Sequence, residues 1–172
     1  APRQHSAPHS HVTHPAVVRR RILLVEDSAG DAELTCERLA EAQAPAFDVL
    51  RASSVQGALG TLAHKSVDAI ILDLNLPDSQ GVETVRRVRG GAVHTPIIAV
   101  SGLADEVLRA RAMAHGAEDL FAKDETNSRL FWRSIAQIID RKREQQRQFQ
   151  HVLDATPDAI LVVNDGGVVR YV

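Results

Sequence analysis

The stretch "DAIILDLNLPDSQG", Asp68 to Gly81, decides how the rest of the chain reads. An almost unbroken apolar run delivers one carboxylate, Asp73, and then breaks into a turn built from Asn75, Pro77, Asp78 and Gly81. A short apolar run closed by a turn reads as a strand buried on both faces, the kind that parallel sheets contain. Its terminal acid is either a turn or helix cap, or a group held at the mouth of a sheet for chemistry.

Working outward, "RILLVE" and "FDVLRA" precede this strand, and "TPIIAVSG" and "EDLFAK" follow it. Between the strands lie amphipathic runs: "SAGDAELTCERLAEA", "SVQGALGTLAHK", "GVETVRRVRG" and "ADEVLRARAMAHG". The first of these offers Ala32, Leu34, Cys36, Leu39 and Ala40 as an inner face, and Ser53 or Ser54 caps the second. Strand and helix alternate five times within about 120 residues, which predicts a parallel sheet covered by helices on both faces. Ligands of such sheets bind beyond the C-terminal ends of the strands.

The chain has 172 residues, enough for one well-packed domain with appendages. A formal net charge of −2 argues against a nucleic-acid grip or a basic membrane face. No apolar run approaches the roughly 20 residues that span a bilayer, and no signal-peptide core opens the chain. The single Cys36 has no internal disulfide partner, so a reducing cytoplasm is the expected setting. Residues 1–19 are rich in Pro, Ser and His without apolar periodicity and read as a flexible tail. His5, His9, His11 and His14 match no ordinary metal-site spacing.

The last helix outruns what one sheet edge needs. From about Asn127 its pattern continues through "DRKREQQRQFQHVLDA". Phe131, Ile135, Ile138, Lys142, Gln145, Phe149 and Val152 alternate by four and three, a heptad seam that predicts a parallel two-stranded coiled coil. Such a helix projects about 35 Å or more from the domain. The competing reading is a single solvated helix whose charged middle only resembles a coiled coil. Beyond it, two β-rich runs flank "NDGG", a hairpin signal.

At the strand ends, Glu26 and Asp27, Asp73, Ser101 and Lys123 fall on one edge of the expected sheet. Three clustered acids repel one another without a cation, and hard oxygens at an open site suit Mg²⁺. Ser101 and Lys123 add a hydrogen-bond donor and a second positive charge for an anion. Together these are the parts for receiving a phosphoryl group on a carboxylate. Each residue alone has a plainer use: Asp27 as a helix cap, Asp73 as a turn acid, Ser101 as loop chemistry, Lys123 as a surface side chain.

The segments "ILLVEDS", "IILDLNLPDSQG", "PIIAVSG" and "DLFAKDE" resemble, in order and spacing, the signature segments of the response-regulator receiver domain of two-component signalling. The resemblance implies a doubly wound, five-stranded, flavodoxin-like α/β sheet with a core at 20–126 and an extended fifth helix at 127–154. It implies Asp73 as the phosphoacceptor, with Glu26, Asp27, Asp73 and the Asn75 backbone carbonyl holding Mg²⁺. Ser101 and Lys123 would bind the phosphoryl oxygens, and Phe121 would be the aromatic that follows Ser101. Two residues depart from the family pattern. Glu26 stands for the more usual Asp, and Asp124 follows the lysine where proline is frequent, which predicts a looser or differently routed turn.

Residues 155–172, with the end of the helix, resemble the start of a PAS sensory domain and suggest a truncated multidomain protein. The reading that follows is a Mg²⁺-dependent phosphoacceptor that takes its phosphoryl group from a histidine kinase or phosphotransfer protein. It would undergo self-dephosphorylation only and relay its state through a homodimeric helix, with any output enzyme beyond the hairpin. No nucleic acid and no membrane are expected as partners. The alternatives are a non-cycling receiver used for dimerisation and a phosphorelay intermediate.

Overall fold

A computed structural model describes residues 19–41, 47–154, 161–163 and 169–171; the expected N-terminal tail up to residue 18 lies outside them. Five strands, β1 (Arg20–Val25), β2 (Phe47–Ala52), β3 (Ala69–Asp73), β4 (Ile97–Ser101) and β5 (Asp119–Ala122), alternate with helices. The helices are α1 (Ala29–Glu41), α2 (Val55–Leu62), α3 (Val82–Gly91), α4 (Glu106–Ala114) and α5 (Arg129–Asp154). All strand pairs are parallel, in the order β2-β1-β3-β4-β5. The order reverses between β1 and β3, which opens a crevice at their C-terminal ends.

Alternation along each strand divides the core in two. Leu23, Val25, Ile70, Leu72, Ile97, Ala99 and Leu120 pack with Val55, Val85, Val88 and Ala112 of α2, α3 and α4. On the opposite face Ile22, Leu24, Ile71, Ile98 and Val100 pack with Ala32 and Leu39 of α1 and with α5. Leu34, expected on the inner face of α1, is 42% exposed, because the helix turns it past the edge of that contact.

The local signals act where the chain chemistry dictates. Ser54 caps α2 by accepting the Gly57 N–H at 3.1 Å. Ser28, rather than Asp27, serves the first turn of α1: its Oγ accepts the Asp31 N–H at 3.2 Å. After β3, Asn75–Leu76 and Ser79–Gln80 form a two-residue antiparallel ladder. Gly81 then takes φ +62°, which a side chain rarely tolerates, and donates its N–H to the Leu74 carbonyl at 2.7 Å.

Two expectations about the C-terminal part need correction. The core does not stop at residue 126: Phe131, Trp132, Ile135, Ile138 and Ile139 are buried against the sheet. Three of the seven seam positions, Phe131, Ile135 and Ile138, therefore cover this chain's own strands. Their spacing reflects a helix lying on a sheet rather than on a second helix. The charged middle is also engaged. Asp140 pairs with Arg20 at 2.7 Å, Lys142 with Glu118 at 2.7 Å, and Arg143 with Asp68 at 2.8 Å. Gln145 and Phe149 are exposed, and the side chain of Val152 lies outside the described residues. Free projection starts after Arg143 and amounts to about 16 Å, not 35 Å.

The second correction concerns the turn after β5, which is not loose. Lys123–Asn127 form a 3₁₀ helix in which the Ala122 N–H donates to Glu125 Oε2 at 2.7 Å. Thr126 Oγ donates to the Lys123 carbonyl at 2.7 Å. Further on, β6 (Leu161–Val163) and β7 (Val169–Tyr171) pair antiparallel, while the turn between them lies outside the described residues.

Candidate phosphoacceptor site

The C-terminal edge of the sheet gathers the polar residues. Asp73 closes β3 and is 3% exposed. Its Oδ1 accepts the Asn75 N–H at 3.0 Å, which fixes one oxygen inward and directs the turn away from the strand. Oδ2 lies 2.8 Å from Lys123 Nζ. That ammonium also reaches Glu26 Oε2 at 2.8 Å and Asp31 Oδ2 at 3.1 Å. Lys123 stands at the start of the 3₁₀ turn, so the hydrogen bonds of that turn hold its backbone.

Glu26, Asp27 and Asp73 each offer a carboxylate oxygen, and these oxygens all lie within 4.8 Å of one another. Glu26 Oε1 accepts the Ser28 N–H at 3.1 Å, so the longer glutamate arm is anchored at the end of β1. Burial pushes the Glu26 carboxyl above its ordinary range and Asp73 adds to this, while the bonds from Lys123 and Ser28 oppose it. For Lys123 burial acts downward, but the bonds to Asp73, Glu26 and Asp31 outweigh it and hold the amine protonated. One ammonium pairs with three carboxylates and a fourth, Asp27, adjoins them, which leaves three negative charges uncompensated. A set of close, hard oxygens with that surplus fits Mg²⁺, for which Glu26, Asp27, Asp73 and the Asn75 carbonyl are the candidate ligands.

Ser101 ends β4, 5% exposed, beside the strand that carries Asp73, and its Oγ accepts the Leu103 N–H at 3.4 Å. Phe121 is not its neighbour. Alternation puts Ser101 on the face of Ala99 and Leu120, whereas Phe121 packs on the α5 face with its ring 5.0 Å from that of Phe131. A rotamer change of Phe121 into space vacated by Ser101 is therefore precluded by the sheet between them; Leu120, fully buried, shares the Ser101 side.

Two residues that shape the site escape the strand-end pattern. Asp31 belongs to the first turn of α1, four residues after Asp27, and that spacing was the available signal. Asp78 accepts the N–H groups of Val55 and Gln56, each at 3.0 Å, and so pins the turn after Asp73 to the N-terminus of α2. A cavity of about 310 Å³ opens beside Asp73 and Lys123, bounded by Leu34, Thr35 and Arg38 of α1 and by Thr126 and Asn127.

A doubly wound sheet whose C-terminal edge carries an acid cluster and a lysine defines the receiver class. The chain belongs to the response regulator receiver domain family, whose pattern matches residues 22–134. It is 31% identical over 134 residues to the uncharacterized transcriptional regulatory protein YrkP of Bacillus subtilis, a match that covers 75% of this chain and 56% of that one. The chain thus spans about half the length of the curated relatives it matches. Among solved structures, it resembles the signal receiver domain of a LuxO repressor protein from Vibrio parahaemolyticus. That match has TM-score 0.65 and 27% identity, and covers 75% of this chain and 96% of that one. It also resembles the receiver domain of the sensor histidine kinase PA1611 from Pseudomonas aeruginosa, described with magnesium in its active-site cleft. Here the TM-score is 0.56 and the identity 25%, over 71% of this chain and 95% of that one.

Proposed function

We propose that Asp73 accepts a phosphoryl group from the phosphohistidine of a histidine kinase or phosphotransfer protein. The observation that carries this is a carboxylate buried at the end of β3, with Lys123 Nζ 2.8 Å away, inside a cluster of three acids whose oxygens lie within 4.8 Å. The other Asp73 oxygen is occupied by the Asn75 N–H, so Oδ2, on the Lys123 side, is the one presented. It attacks phosphorus as the bond to the donor imidazole nitrogen breaks, that nitrogen keeping the electron pair. Lys123 and the Ser101 hydroxyl receive the phosphoryl oxygens, so the chain contributes position and charge rather than a base. Mg²⁺, when bound, would neutralise charge shared between Asp73, the acidic pair and the transferring group. The cavity along α1 is the open approach for the donor.

Coupling to α5 then runs along the Phe121 face. Lys123 directly follows β5, Phe121 on the α5 face of that strand packs edge-on to Phe131, and the rings of Phe131 and Trp132 lie 4.8 Å apart. Homodimer contacts, if made by the helix, use Gln145, Phe149 and Val152. The segment 155–172, which resembles the start of a PAS domain, would receive the signal. Transcriptional regulation, named for the Bacillus relative, belongs to that protein, and a nucleic-acid readout here would call on residues outside the 22–134 match.

The test uses fluoroberyllate with Mg²⁺, followed by NMR on the wild type and Asp73→Asn. Binding by the wild type alone, with shifts around Ser101 and Lys123, is expected. Equal binding by both, or by neither, would favour a non-cycling module.

A further inference from the structure

Asp31 is the one carboxylate on Lys123 that is neither the candidate phosphoacceptor nor a candidate metal ligand. An ammonium has three N–H donors; here hydrogen bonds to Glu26 and Asp31 take two of them, and Asp73 Oδ2 is held 2.8 Å away as an ion pair. A phosphoryl oxygen must therefore compete with these acids for the ammonium. Two of the acids have other work once the site is loaded: Glu26 faces the metal position, and Asp73 carries the phosphoryl group. Asp31 has none.

Its placement follows from the local chain. Glu26 Oε1 holds the Ser28 N–H, Ser28 Oγ holds the Asp31 N–H, and Asp31 Oδ2 closes the circuit on Lys123. Asp31 is about half exposed, with 52% of its side chain accessible, whereas Glu26 and Asp73 are buried to 8% and 3%. Exposure makes its bond to the ammonium the weakest of the three and the first to yield.

We infer that Asp31 is a positioning residue, acting through Lys123, that favours the divalent cation and opposes the phosphoryl group at the same site. Drawing the ammonium toward α1 leaves Glu26 and Asp73 freer for a cation, and its own charge adds to the attraction. The same charge repels an anion on Asp73 and occupies the N–H that the anion needs. The inference deepens the phosphoacceptor reading and rests on it for the second effect only.

The test compares wild type, Asp31→Asn and Asp31→Glu, all checked for unchanged melting. Calorimetric titration with Mg²⁺ alone is expected to show a dissociation constant about five- to tenfold higher for Asp31→Asn. Titration with fluoroberyllate at saturating Mg²⁺ is expected to show a constant several-fold lower, with Asp31→Glu restoring both. A structural defect would weaken both ligands, so joint weakening, or no change in either, overturns the inference. Should the wild type bind Mg²⁺ but not fluoroberyllate, the phosphoacceptor reading fails. The Mg²⁺ arm then decides alone: weaker binding by Asp31→Asn supports the role of Asp31, and unchanged binding overturns it.

Discussion

At Asp73 the geometry sets stability against function. Three carboxylates share one ammonium, with Asp27 close by, and the most buried of them is the proposed phosphoacceptor. Crowded acids of this kind destabilise the fold that holds them. Asp73→Asn is therefore expected to raise thermal stability in EDTA, by about 1–2 kcal/mol, with the gain shrinking as Mg²⁺ is added; a loss of stability in EDTA would contradict the account. Asp78 behaves in the opposite sense. Although Asp78 is exposed and slight desolvation acts against it, the N–H groups of Val55 and Gln56, its own N–H and the charge of Arg87 together hold its carboxyl below the ordinary 3.8. A group lowered on folding contributes stability that is fully present above its unfolded value and lost as pH falls through its folded value. Asp78→Asn should accordingly flatten the acid side of the stability profile below about pH 4, as followed by urea unfolding. The acids at the strand ends were legible because each ends an apolar run. The contacts of Asp31 and Asp78 were not, because one sits inside a helix and the other in a turn, and their partners come from elements far along the chain.

At the scale of elements, α5 does two things with one pattern. Its first turns complete the sheet, and its later turns leave it. A heptad count cannot separate the two, since a helix on a sheet and a helix on a helix both repeat apolar residues every three or four positions. The distinction comes from Trp132 and Ile139, whose burial widens the stripe beyond a two-position seam. Ile135 is fully buried, so Ile135→Ala should destabilise the receiver by about 2–5 kcal/mol in chemical denaturation. Phe149→Ala, on an exposed position, should leave stability within about 0.5 kcal/mol and alter only self-association. Between these regions, Asp68 and Glu118 hold Arg143 and Lys142. Replacing both acids by amides should raise amide exchange over residues 141–150 while leaving β1, β3 and β4 protected. The contrast should fade at high salt.

At the scale of the molecule, strand order 2-1-3-4-5 explains why residues from Glu26 to Lys123, distant in sequence, meet at one edge. Parallel pairing brings every strand end to the same side, so the alternating pattern alone located the site, though not the division of its faces. That division decided the role of Phe121, which alternation assigns to α5 and not to Ser101. A phosphoryl group on Asp73 should then be sensed first at Phe131, and the fluoroberyllate complex should change the chemical shift of the Trp132 indole. The claim on which all of this depends is that Asp73 is chemically competent. The most direct measurement is mass spectrometry of the protein incubated with Mg²⁺ and a small acyl phosphate, followed by peptide mapping. The account predicts one hydroxylamine-sensitive phosphoryl group, located on Asp73, absent in Asp73→Asn and strongly reduced in Lys123→Met. A wild type that remains unmodified, or a phosphoryl group on another residue, would contradict it.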